Sequence, residues 1–210
     1  MILAFDTETT DLPDFKARSS ADHQPHLVQL AALLAKDKQQ EPFGFSVIIR
    51  PDGYKEMPKR AFETHGISFE RAMDEGVPLT EAVDRFNHFL DQAELLVAHQ
   101  IEFDRKILKI AFHRSNRAPA RENLPKFCTL RAATPIVNLP PTERMLAAGF
   151  NKPKPASLTE CIRHFFNEDL EGAHDAMVDV RACLRLFWHL KDLEALKSTA
   201  PAGTDLAEAV

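Results

Sequence analysis

The chain has 210 residues, 44% of them hydrophobic and 27% charged, with a formal net charge of −5. This gives room for one substantial domain of ordinary globular composition, and no stretch approaches the roughly 18 apolar residues of a membrane span. Cys128, Cys161 and Cys183 are scattered, odd in number and without CxxC spacing, which argues against a disulfide framework or zinc knuckle and fits a reducing compartment.

The opening run Met1-Ile2-Leu3-Ala4-Phe5 has no basic flank and is too short for a signal-peptide core, so a soluble, cytoplasmic protein is expected. An excess of acid disfavours a tight, non-specific polyanion binder. It is compatible with an enzyme whose bound metal cations reverse the sign of charge locally.

In chain order, Ile2 to Phe5 reads as a buried strand that delivers Asp6 at its end. Leu27 to Ala35 and Phe43 to Arg50 read as two further strands. The first also suits a helix, but the short link from Asp37 to Pro42 favours a hairpin. Helices are expected over 58–64, 68–75 and 80–91, the last from apolar spacing at Val83, Phe86, Phe89 and Leu90. Glu94 to Ala98 is a short buried strand, followed by a helix from Glu102 to Ser115 and a last strand over Phe127 to Leu130. The proline-interrupted stretch from Pro135 to Pro155 reads as a surface loop. Ser157-Leu158-Thr159-Glu160 is a capping box that opens a helix to Phe166, and a long amphipathic helix runs from Asp175 to Leu196. Strands followed by alternating strands and helices predict an α/β domain over 1–197 with a mixed sheet of about five strands flanked by helices. The small, polar stretch 198–210 reads as a disordered tail.

Three short segments concentrate the acids. In Asp6-Thr7-Glu8 strand alternation puts both carboxylates on one side. Alone, the pair fits solvent-facing strand-end acids as well as a cation site. Asp104, in Phe103-Asp104 just after the strand ending at Ala98, lies in a first helical turn, where the macrodipole already favours an acid. Asp179 shares a helix face with the small residues Ala176, Ala182 and Cys183, and His174 stands just ahead of that helix. A carboxylate on such a face is costly unless paired or metal-bound, so here a functional reading outweighs a structural one.

Together these segments, with Asp6-Thr-Glu-Thr-Thr10, Thr64-His-Gly-Ile67, Ala98-His99-Gln100, Phe103-Asp104 and His174-x-Ala-x-x-Asp179, closely resemble the DEDDh (DnaQ-like) exonucleases from Ile2 to about Leu190. The resemblance implies an RNase H-like fold and a 3′→5′ exonuclease. Asp6, Glu8, Asp104 and Asp179 would hold two divalent metal ions, Mg²⁺ or Mn²⁺, and His174 would be the general base. Hard oxygen donors suit those ions, and imidazole titrates near neutrality. The resemblance also places Thr9, Thr64, His65 and Phe103 against the terminal nucleotide. The chain departs from the family's usual pattern at Asp11 (commonly glycine), Gln29 (commonly an acid), Gln100 (commonly asparagine) and Arg60 (acidic in some polymerase-associated members).

The implied substrate is a single-stranded or frayed DNA 3′ end, with proofreading or repair as the role and a polymerase or second copy as possible partner. RNA is the nearest rival, since the catalytic set reads the phosphodiester and not the 2′-hydroxyl. A non-catalytic nucleic-acid-binding subunit would be free to lose an acid or the histidine, and all five residues are present. A phosphatase with a strand-end nucleophile would want Asp-x-Asp. Lys152 and Lys154 read as solvated loop lysines before phosphate contacts, and Arg114, Arg117 and Arg121 as a solvated helix end.

Overall fold

The computed structural model describes residues 1–199. Its centre is β1 (Ile2–Thr9), which pairs antiparallel with β2 (Leu27–Ala35) on one side and parallel with β4 (Leu95–Ala98) on the other. β3 (Phe43–Ile48) and β5 (Lys126–Cys128) complete a mixed sheet in the order β3-β2-β1-β4-β5. The β2–β3 hairpin resolves the ambiguity of Leu27–Ala35 in favour of a strand, and all nine of its residues are buried because helices cover both faces.

The alternation of β1 sorts the layers. Leu3 and Phe5 pack with α3 (Leu79–Gln92) and α4 (Ile101–Arg114), through Phe86, Ile107 and Ala111 among others. Ala4 faces the opposite layer of α5 (Thr129–Val137), α7 (Leu158–Phe166) and α8 (Ala176–Thr199), with Cys161, Val180 and Phe187. By the same period, Asp6 and Glu8 project toward the α8 layer and Thr7 toward α4. The carboxyl ends of β1 and β4 meet where α4 and α8 begin, the position at which open α/β sheets place their ligands.

Three expectations are corrected. β1 continues through Thr9, not stopping at Phe5, because β2 pairs with it along its whole length. The expected strand over 127–130 is confined to Lys126–Cys128, because α5 begins at Thr129; α5 runs three residues into the expected loop, which also holds a short helix α6 (Glu143–Ala147). Pro135 sits in the last turn of α5, where a missing amide costs only one intrahelical bond, and Thr134 donates back to Leu130 O at 2.7 Å. The expected capping box is present: the Ser157 hydroxyl accepts from Glu160 N, and the Glu160 carboxylate accepts from Ser157 N. α8 extends two residues into the expected tail, and the remainder, 200–210, lies outside the described residues. Among the described residues no helix is long and apolar enough to cross a membrane. α1 (Lys59–His65) and α2 (Phe69–Glu75) precede α3, and α1 forms one wall of the site.

Candidate active site

An open cleft of about 820 Å³ lies over the carboxyl end of β1, lined among others by Asp6, Glu8, Asp104, His174 and Asp179. All five residues expected to carry chemistry are therefore brought together. Thr9, Thr64, His65 and Phe103 line the same cleft.

Each side chain is delivered by a distinct element. Asp6 and Glu8 come from β1, whose register with β2 shifts between Glu8 and Thr9, the kind of bulge that re-aims side chains beside a site. Asp104, 3% exposed, comes from the first turn of α4 and accepts a 2.8 Å hydrogen bond from Thr7 Oγ1. Asp179 comes from the first turn of α8, and its Oδ2 accepts from the backbone N–H of His174 at 3.1 Å. His174 is exposed and holds φ 71°, a left-handed conformation that costs a non-glycine residue roughly 1–3 kcal/mol. Such strain persists only where the surroundings fix it.

The electrostatics are those of a crowded anion site. Burial, followed by the charges of Asp104, Glu8, Asp179 and Asp175, raises the Asp6 carboxyl well above the usual range. Burial and the neighbouring acids raise Glu8 to about 8, and burial raises Asp104 to about 7 despite the Thr7 hydrogen bond. Asp179 is raised as well, first by burial. Full ionisation is thus disfavoured unless positive charge enters.

The donor set fits a divalent cation. One ligand atom each from Glu8, His174 and Asp179 lies within 4.8 Å of the others. Asp179 Oδ1 is buried without a hydrogen-bond partner, an orphan that a cation would satisfy. Hard carboxylate oxygens predominate over nitrogen, which suits Mg²⁺ or Mn²⁺.

The opposite wall is α1, which presents Arg60, Ala61, Thr64 and His65. The Thr64 hydroxyl donates to Arg60 O at 2.9 Å, and His65 Nδ1 accepts from Ile67 N at 3.1 Å. Burial and the facing His174 lower the His65 pKa, which favours its neutral imidazole. Thr9 Oγ1 donates to Asp11 O at 2.7 Å, closing the turn at the cleft edge where the family more often has glycine. Phe103 is half-buried, packing on the core while still lining the cleft.

Several contributors escaped sequence reasoning. The Thr7 hydroxyl donates directly to Asp104, and strand alternation alone had assigned it no role. His99 Nδ1 lies 3.0 Å from Thr129 Oγ1 and its Nε2 3.0 Å from Ala156 O, joining the β4 end to the segment before α7. Burial pushes its pKa down to about 4. Asp175 caps α8, its Oδ1 accepting from Met177 N and Val178 N. Of the basic residues expected to be solvated, Lys152, Arg117 and Arg121 are exposed as expected, while Arg114 and Lys154 are partly buried. Arg114 donates to Pro25 O at 2.6 Å and Gln24 O at 2.5 Å, Arg117 pairs with Asp84, and Arg121 donates to Ala93 O. Lys154 pairs with both oxygens of Glu160 at 2.5 and 2.7 Å.

A family model described as an exonuclease, RNase T type, matches residues 3–187. Among solved structures, E. coli exonuclease I in complex with a dT13 oligonucleotide superposes with a TM-score of 0.70 at 16% identity, covering 94% of this chain and 42% of that one. The same enzyme with a dA16 oligonucleotide gives a TM-score of 0.69 at 18% identity, over 93% of this chain and 41% of that one. Its zinc-bound complex with single-stranded DNA gives 0.65 at 18% identity, over 92% and 41%. At these identities the likeness is one of fold, and the chain spans about two fifths of the length of these neighbours. No curated protein sequence matches.

Proposed function

The chain belongs to the exonuclease family, with the RNase H-like fold of its DEDDh members, and on that premise we propose that it removes nucleotides from the 3′ end of DNA. The observation that carries this reading is the convergence of Asp6, Glu8, Asp104 and Asp179 on one cleft with His174 at its lip. Binding of oligodeoxynucleotides by the structural neighbours supports a single-stranded or frayed DNA end as substrate. Proofreading or repair in the cytoplasm, alone, as a homodimer or beside a polymerase, is the role such a reaction serves.

In this reading the four carboxylates hold two divalent ions, Mg²⁺ or Mn²⁺. When bound, those ions neutralise the acids and stabilise charge on both the attacking and leaving oxygens of the phosphodiester. The remaining steps belong to the chain. Thr9, Thr64, His65 and Phe103 seat the terminal nucleotide, Phe103 by a stacking contact that any base satisfies. In this reading Arg60, a cationic side chain lining the acidic cleft, pairs with a strand phosphate. His174 accepts a proton from the attacking water. The water oxygen bonds to phosphorus as the bond to the 3′ oxygen of the preceding nucleotide breaks, and that oxygen takes up a proton from solvent. The products are a nucleoside 5′-monophosphate and a strand shortened by one residue with a free 3′-hydroxyl.

The test is digestion of matched DNA and RNA oligonucleotides, labelled at the 5′ end, with and without Mg²⁺ or Mn²⁺. A metal-dependent ladder shortening from the 3′ end of DNA supports the reading. Faster turnover of RNA would reassign the substrate, and no turnover of either would overturn the reading.

A further inference from the structure

We propose that Gln29 is a positioning residue that locks the turn carrying His174 to the strand pair carrying Glu8. The inference rests on the reading of the cleft given above, in which His174 is the base.

Gln29 stands on β2 directly opposite Glu8 in the antiparallel register, and it is 5% exposed. Its side chain spans from the sheet to the start of α8. Nε2 donates to Ser46 Oγ on β3 at 3.2 Å and to Asp175 Oδ2 at 3.3 Å, while Oε1 accepts from the backbone N–H of Ala176 at 3.2 Å. Both functions of the amide are used, and in one orientation only: Ala176 needs an acceptor and Asp175 a donor. With Asp175 Oδ1 serving the amides of Met177 and Val178, three otherwise orphaned N–H groups of α8 are satisfied by this pair.

The consequence reaches the base. His174 is bonded directly to Asp175, and its left-handed φ requires the turn to be held from outside. Two tethers are backbone donors, its own N–H on Asp179 Oδ2 and that of Asp175 on Gly172 O; a third is the grip of Gln29 on the next two residues. One amide thereby sets the distance between the β1 carboxylates and the imidazole. A glutamate here would accept from Ala176 but would set a carboxylate against Asp175. In this chain Gln29→Glu is therefore not a conservative change.

The experiment is a double-mutant cycle in the full chain, with Gln29→Leu and Gln29→Glu each made in the native and His174→Ala backgrounds. Turnover of single-stranded DNA labelled at the 5′ end is followed in Mn²⁺, together with hydrogen exchange at the Ala176 amide. In the native background both variants should lower kcat roughly 10- to 100-fold through misplacement of the base, with KM little changed. In the His174→Ala background the same changes should cost less than about 2-fold, since the group they position is gone. Exchange at Ala176 should accelerate in Gln29→Leu. An equal loss in both backgrounds, or an unchanged kcat in the native one, would overturn the proposal. Unchanged turnover in His174→Ala with Gln29 intact would instead overturn the reading of the cleft; exchange at Ala176 tells the two failures apart. Gln29→Glu keeps the native shape and carries the test if Gln29→Leu does not fold.

Discussion

Glu8→Gln should make the metal-free protein more stable while destroying its response to metal. The folded protein holds the Glu8 proton up to about pH 8, against an ordinary carboxyl value of 4.5. Because the folded state binds this proton more tightly than the unfolded chain, the stability it brings is full below about pH 4.5 and is lost as pH rises toward 8. Over 3.5 units the loss sums to about 5 kcal/mol at pH 8. Glutamine carries no charge but still buries an amide, so roughly half of that is recovered. At about 2–4 °C per kcal/mol for a chain of this size, Tm in EDTA at pH 8 should rise by roughly 5–10 °C. Adding Mn²⁺ to the native protein at about 100 times its dissociation constant should contribute about 2.7 kcal/mol, bringing the two proteins about level. Thermal melts with EDTA or Mn²⁺, at pH 5 and pH 8, read every part of this. A lower Tm for Glu8→Gln in EDTA at pH 8, or an equal Mn²⁺ shift in both proteins, would refute the account of the cluster as a cation site.

Three further outcomes are expected. His99 is held neutral down to about pH 4 by burial, so the stability tied to it is full above pH 6.5 and is lost as pH falls through 4; the Tm advantage of native protein over His99→Gln should shrink between those limits by an amount equivalent to about 3 kcal/mol. Arg114→Ala removes the donor to Pro25 O and Gln24 O beneath the segment that follows β1. It should cost about 1–3 kcal/mol in denaturant unfolding and speed proteolysis between Leu12 and Gln24. Arg60→Ala should raise KM several-fold at constant kcat and reduce the slope of log(kcat/KM) against log salt by about one phosphate contact; an unchanged slope would remove Arg60 from the substrate path.

Asp6, Glu8 and Asp104 were ambiguous singly and became legible through the ordered motif set that resembles the family, whereas Asp179 was legible because it sits in a local pattern, a small-residue helix face. The sheet and its main helices followed from hydrophobic period and capping for the same reason. What escaped is non-local. Thr7 was silent because its partner lies 97 residues away on another layer. Gln29 read only as a departure, since its meaning depends on contacts 146 and 147 residues distant. Arg114 and Lys154 read as solvated because charge in sequence does not reveal a carbonyl or carboxylate that the fold brings beside it. α5 was hidden by Pro135, which signals a break in isolation and is tolerated in a last turn.

The central claim is that the Asp6 cluster and His174 hydrolyse phosphodiesters from the 3′ end in a metal-dependent way. The most direct measurement is digestion of single-stranded DNA, labelled at the 5′ end, by native, Asp6→Ala and His174→Ala proteins purified in parallel, in Mn²⁺ and in EDTA. The account predicts a one-nucleotide ladder for the native protein in Mn²⁺ alone, and losses on the order of 10²-fold or more for both variants. Activity that survives EDTA, or that is equal in the native protein and either variant, would contradict it.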